Sequence, residues 1–342
     1  MNNMKLKKVL IFAAFFVFVF HIFFSAGYSN IKLETADLKL INNDAYIYRD
    51  IAENGFSNHR TDHRATRILV PGLSYLFSII NYGGEKFNTP GVNIFFVSSI
   101  ISFLSLISLV YLTKIYFDTK TSLLAAAFFL LSFSMSNYMF MGYPDTAEFL
   151  LSTLLFIALS QKRYLYIIPI FMIAALNRES FILFACPVIF IWSLYKENKK
   201  DRIKILSIGV AASILFLLII YVLKMLLQDE PAIFANQIIG WVSFDKFLMY
   251  TDSNHIRMFL YSMILLLPFG LIGAFVKKEL FYLILTICFM YFIIGGLFIG
   301  SGAAVSRYLF SSAGPLLLIG QACLLIKIYN YYYETYNSNT LP

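Results

Sequence analysis

Residues Ile205 to Leu223 read ILSIGVAASILFLLIIYVL, nineteen consecutive positions without a charged side chain. A soluble core of ordinary size has no place for such a run. A bilayer core about 30 Å thick requires about 20 apolar residues per helix, because only a helix satisfies its own backbone polar groups inside lipid. A second run, Val9 to Phe24, follows Lys5, Lys7 and Lys8 as a secretory leader would, but it exceeds the roughly 7–15 apolar residues usual in one. It reads as a retained anchor. Composition extends the same conclusion to the whole chain: of 342 residues, 59% are hydrophobic and only 13% charged, against roughly 25% charged in a soluble domain.

Apolar runs near 9–27, 91–113, 122–141, 146–161, 164–177, 179–195, 203–227, 258–276, 280–299 and 307–326 predict an all-α polytopic membrane protein of about ten transmembrane helices. The run Ile68 to Ile80 is short, contains Pro71 and Gly72, and leads into Asn81-Tyr-Gly-Gly84, so it is expected to lie at the interface. Charge supports that choice. With 68–80 outside, fifteen basic and five acidic residues fall on the cytoplasmic side, leaving twelve basic and fourteen acidic residues outside, as the positive-inside rule requires. The same logic divides 164–195 into two short helices meeting at Arg178, since a single helix would export the basic cluster Lys196 to Lys204.

The expected organisation is one membrane domain, 1–342, with a first outer loop at 28–90, a second at 228–257 and a cytoplasmic tail at 327–342. Phe234, Ile238, Trp241 and Phe244 recur at helical spacing in the second loop, as in a segment lying on the outer leaflet. The formal charge of +8 does not mark nucleic-acid binding, because the basic residues sit mostly in short loops between spans. Cys186, Cys288 and Cys323 all lie in apolar runs, which supports neither a disulfide framework nor a cysteine-rich zinc site. His59 and His63 have a metal-compatible spacing without an identifiable third ligand, while His21 and His255 stand apart. The chain carries no Gly-Lys-Ser/Thr phosphate loop, dinucleotide fingerprint or Gly-x-Ser-x-Gly elbow.

Three polar constellations interrupt the apolar pattern. The first is INNDAYIYRDIAENGF, residues 41–56, where Asn42 or Asn43 is a candidate N-cap and Asn54-Gly55 a stop, predicting a helix over 43–54. Asp44 falls in its first turn, where the helix dipole and free amides favour a charged carboxylate; Tyr48 lies four residues on, on roughly the same face. The second is GYPDTAEFLL, residues 142–151, in which Pro144 suits a helix start and Asp145 and Glu148 then share a face one turn apart, beside Tyr143. These acids suit a divalent cation (Mg or Mn) or a hydroxyl, or serve only as acids favoured by the dipole. The third is basic: Arg60, Arg64 and Arg67 in HRTDHRATR, Arg178 beside Glu179, and Arg307 in GSGAAVSRYLF. Arginine forks suit phosphate oxygens, and a buried arginine needs an anion, which for Arg178 is a phosphate, Glu179 or another acid.

In this order along the chain, NNDAYIYRDIAENGF, RILVPGLSYL, GYPDTAEFLL, LNRESFIL and SRYLFSSAGPLL resemble the integral-membrane glycosyltransferases of the C superfamily (GT-C), a group that includes protein mannosyltransferases, aminoarabinose transferases and oligosaccharyltransferase. The resemblance covers most of residues 1–320 as a pattern. It implies a polyprenyl-phosphate sugar donor, a lipid-linked or glycan acceptor, inversion at the sugar, and a first-loop carboxylate as base. That base is Asp44, with Asp37 and Asp50 as alternatives. Asp145 and Glu148 match the second acidic position, although the oligosaccharyltransferase branch has Asp-x-Glu where this chain has Asp-Thr-Ala-Glu, which leaves metal dependence open. Arg307, Arg178 and Arg67 would hold the lipid phosphate, with Tyr48, Tyr143 and Glu179 lining the substrate. The implied setting is a bacterial inner membrane, N-terminus cytoplasmic and site facing outward, in contact with membrane lipids and serving envelope glycan assembly. A polymerase of lipid-linked repeats, a lipid-glycan flippase or transporter, and a non-catalytic scaffold are the competing expectations.

Overall fold

The computed structural model describes residues 43–55, 67–80, 90–132, 143–196, 198–227, 259–260, 263–294 and 302–340, with side chains for all but 43–46, 294, 302–304 and 334–340. Every regular element among them is helical. In chain order these are α1 (Asn43–Asn54), α2 (Leu69–Ile80), α3 (Pro90–Tyr116), α4 (Thr119–Leu131), α5 (Asp145–Ser160), a 3-10 turn at Tyr164–Tyr166 running into α6 (Ile167–Ala175), α7 (Phe181–Leu194), α8 (Lys199–Leu227), α9 (Leu266–Ala274), α10 (Lys278–Ile294) and α11 (Gly302–Thr340). The stretches Pro90–Tyr116, Lys199–Leu227 and Val305–Tyr333 are long and apolar enough to cross a membrane. The protein is a helical membrane protein. The predicted run 9–27, the second outer loop with its aromatic stripe, Asp37, Arg60, Arg64 and all four histidines lie outside the described residues.

Local chemistry explains the helix ends that matter for the site. Helix α1 stops where expected, with Gly55 at φ +74°, a left-handed conformation that costs glycine little. Helix α4 starts at Asp118, whose carboxylate accepts from the Thr121 amide at 2.8 Å. The long apolar run 164–195 is broken as the charge pattern predicts: α6 ends at Ala175, α7 begins at Phe181, and Asn177 and Arg178 occupy the gap. Helix α5 lies at the centre and buries twelve of its sixteen residues, Asp145 and Glu148 included. It packs against α3, α11, α6 and α7.

Helix α8 is the opposite case. Its buried positions are Ile205, Gly209, Ala212, Phe216, Ile220 and Lys224, a single stripe at helical spacing, while Val210, Ile214, Leu217, Leu218 and Tyr221 point outward. Exposed apolar side chains are costly in water and neutral in lipid, so this distribution is the one a bilayer selects.

Helices α9 and α11 approach most closely, backbone to backbone. A Cβ added at Gly273 would fall on the carbonyl oxygen of Gly320, and one at Gly320 would fall on that of Gly270. Small residues at such a crossing let two membrane helices gain dispersion contacts that lipid cannot match. The crossing anchors α11, and with it Arg307 near its start. Gly273→Ala is expected to cost roughly 1–3 kcal/mol through overpacking. Gly209→Ala, whose new Cβ would meet only the side chain of Ile189 at 2.8 Å, should cost less. Thermal unfolding in detergent measures both, and equal midpoints would contradict the close crossing.

Candidate functional site

The centre of the site is a buried quartet of charges drawn from three parts of the chain. Helix α5 presents Asp145 and Glu148 from its first turn, the α6–α7 break supplies Arg178, and α11 supplies Arg307. Arg178 lays its fork across both acids: Nη1 donates to Glu148 Oε2 at 2.6 Å, and Nη1 and Nη2 donate to the two oxygens of Asp145 at 3.4 and 3.2 Å. Arg307 Nη2 donates to the same Asp145 Oδ2 at 2.7 Å. Tyr291 Oη donates to Glu148 Oε1 at 3.4 Å. Two guanidinium groups therefore neutralise two carboxylates, the condition for keeping any of them in an apolar interior.

Aromatic faces complete the enclosure. Tyr308 lies 4.3 Å beneath the Arg178 guanidinium, and Tyr143 lies 4.1 Å beneath that of Arg307, placing each cation over a negative ring face. The side chains of Arg178 and Glu148 are 1% and 0% exposed, whereas that of Arg307 is 14% exposed. Arg307 is the more open of the two cations. The break itself is fixed by Asn177 Nδ2, which donates to the Pro144 carbonyl at 2.9 Å. Asn177 Oδ1, Arg178 Nε and Ser180 Oγ are buried there without a protein hydrogen-bond partner, and such groups draw water or a polar ligand.

A second polar group adjoins the first. Arg67 Nε pairs with Glu179 Oε2 at 3.4 Å, and Arg67 Nη1 donates to Tyr48 Oη at 3.2 Å. Burial opposes the charge on Arg67, but Tyr48 and Glu179 outweigh it and hold the guanidinium well above its ordinary pKa. Tyr48 in turn meets Tyr143 edge to face, with ring centroids 6.2 Å apart.

The structure thus gathers Asp145, Glu148, Arg178 and Arg307 into one cluster and Arg67, Glu179, Tyr48 and Tyr143 into its neighbour. Glu179 is the partner of Arg67, while Arg178 reaches acids thirty and thirty-three positions away. Tyr48 and Tyr143 are buried, their expected substrate-facing surfaces turned into protein contacts. Asp44 is the second residue of α1, with its side chain outside the described set; Asp50 is engaged by Asn54 Nδ2 at 2.8 Å on the exposed side of that helix. Asp145 and Glu148 do not fit a divalent cation in this arrangement, because all four of their oxygens already accept from Arg178, Arg307 or Tyr291. Among the described residues no three of His, Cys, Asp and Glu come together as a metal set.

Sequence reasoning missed Tyr291, Tyr308 and Lys224. Tyr308 is adjacent to Arg307 and could have been sought as its aromatic neighbour. Lys224, buried in the last turn of α8, acts electrostatically on Glu179, and a lone lysine ending an apolar run was a usable signal. Tyr291 carried none.

The chain matches no protein-family model and no curated protein sequence.

Removing one member of a buried ion pair strands the other. Arg178→Gln, which leaves Asp145 and Glu148 short of donors, is expected to lower stability by about 3–5 kcal/mol, and Arg307→Gln by less, because Asp145 keeps Arg178. Adding Glu148→Gln to Arg178→Gln should recover part of the loss. Thermal unfolding of the purified variants checks the order, and a tolerated Arg178→Gln would contradict the quartet.

Proposed function

We propose that the protein is a membrane glycosyltransferase of the GT-C type, moving a sugar from a polyprenyl-phosphate donor to a lipid-linked or envelope glycan acceptor at the outer face of a bacterial inner membrane, by way of about ten transmembrane helices. The observation that carries this reading is the buried Asp145–Glu148–Arg178–Arg307 quartet beside α1. Ionisable groups at membrane depth are retained for use rather than for stability.

In this reading Asp44 takes the proton of the acceptor hydroxyl as its oxygen attacks the anomeric carbon. The bond between that carbon and the lipid-phosphate oxygen breaks, and the electron pair leaves with the phosphate. Arg307, the more open cation, meets the charge developing on the phosphate. Asp145 and Glu148, expected from the resemblance to be catalytic, act here by fixing the two guanidinium groups. In this reading no divalent cation sits on Asp145 and Glu148, whose oxygens accept from guanidinium nitrogens and the Tyr291 hydroxyl.

A second reading, a lipid-glycan flippase or transporter, draws on the α6–α7 break, where the interrupted helix leaves buried polar atoms of Asn177, Arg178 and Ser180 without a protein hydrogen-bond partner, as discontinuous helices do at carrier binding sites. Transfer from a panel of radiolabelled polyprenyl-phosphate sugars into membrane lipids and glycans separates the two. Wild-type protein should transfer one of them, and Asp44→Asn at matched expression should be slower by about 100-fold or more. Undiminished transfer by Asp44→Asn removes Asp44 from the mechanism. Movement of a labelled lipid across vesicles without transfer favours the carrier.

A further inference from the structure

The sequence expects Arg67 to hold phosphate and Tyr48 to line substrate, yet each is committed to protein. Helix α1 packs against α2 and α3, and its Ile47, Ile51 and Ala52 are buried. A polar attachment adds to this apolar one. Tyr48 is 0% exposed, and its hydroxyl accepts from Arg67 Nη1 at 3.2 Å while Arg67 Nε holds Glu179 at 3.4 Å. One guanidinium fork thereby ties α1 to the α6–α7 break. The chain around Arg67 is held in place by the Leu69 amide, which donates to the Leu176 carbonyl at that same break at 2.9 Å.

The ring of Tyr48 makes a second connection. Its partner, Tyr143, carries Arg307 on its face, and Arg307 is bound to Asp145. Tyr48 is therefore in contact with both polar groups at once, through its hydroxyl and through its ring. Asp44 stands four residues earlier, with its backbone about 6 Å away along the helix axis. Whatever fixes the rotation and depth of α1 at Tyr48 fixes where that residue stands relative to Arg307.

We infer that Arg67 and Tyr48 are positioning residues: Arg67, clamped by Glu179, holds Tyr48 and so sets α1 against the charged quartet, placing Asp44 for the proposed transfer. The inference rests on the glycosyltransferase reading for its catalytic consequence, but not for the clasp itself. Arg67 acts through Tyr48 rather than by touching the donor, and its effect falls on turnover rather than on donor binding.

The test uses full-length protein in detergent, with Cys186, Cys288 and Cys323 replaced by alanine and Ala52→Cys as the reporter on the buried face of α1. N-ethylmaleimide labelling at this position is expected to be slow in the parent and about tenfold faster with Arg67→Gln. Tyr48→Phe, which removes one oxygen and keeps the ring, should act in the same direction and guards against simple misfolding. The charge exchange Arg67→Glu with Glu179→Arg should restore slow labelling. In the transfer assay Tyr48→Phe should lower kcat about tenfold at unchanged KM for the donor. Labelling that does not change in Arg67→Gln and Tyr48→Phe overturns the clasp. A raised donor KM at unchanged kcat overturns the positioning role and returns Arg67 to the phosphate. Faster labelling, restored by the exchange, in a protein whose wild type transfers no sugar upholds the clasp and removes the transferase reading.

Discussion

The mutual neutralisation of four charges inside an apolar bundle is the constraint on which the rest of the structure depends. A carboxylate or guanidinium taken out of water alone costs several kcal/mol, and the loss is offset only when opposite charges meet with their hydrogen bonds made. Asp145 and Glu148 can enter the centre because Arg178 reaches both, and Arg178 can reach both because the chain breaks between α6 and α7. Pro144 and Asn177, joined by a hydrogen bond, hold the helix start against the break. The small-residue crossing of α9 and α11 brings the later part of α11 close against α9. Loss of Arg178 would leave Asp145 and Glu148 short of donors in the core.

The geometry also ranks the two arginines. Arg178 is fully enclosed, between two acids and the Tyr308 ring, and serves as an internal counter-ion. Arg307 shares Asp145 with Arg178, retains some exposure and rests on the Tyr143 ring. In a site that handles anions, a partly exposed cation can accept a further oxygen at lower cost than a fully enclosed one. Division of labour among like residues thus follows from burial.

Part of the scaffold was legible in the sequence, because long apolar runs form long apolar helices: 91–113, 203–227 and 307–326 fall within Pro90–Tyr116, Lys199–Leu227 and Val305–Tyr333. The helix over 43–54, its stop at Gly55 and the break near Arg178 followed from turn residues and charge. Asp145 and Glu148 were recognisable as one face from their spacing. Pairings were not legible. Glu179 adjoins Arg178 in sequence, but consecutive residues at a helix break diverge, and the partners came from thirty residues away. Tyr48 shares the helical phase of Asp44, and phase alone does not say whether that face meets substrate or protein. Tyr291 lies in an unremarkable apolar helix and acquires meaning only through Glu148.

The quartet also bears on how such a protein can drift. Its members come from a helix start, a helix break and a late helix, and Asp145 Oδ2 serves both arginines. A substitution at one position alters the electrostatic requirement at the other three, so the tolerated histories are those in which distant codons change together. Loop lengths and lipid-facing side chains carry no such coupling and are free to diverge. A lineage built this way would keep a constellation while losing every linear signature around it, and its kin are better sought by that spatial pattern than by any contiguous string.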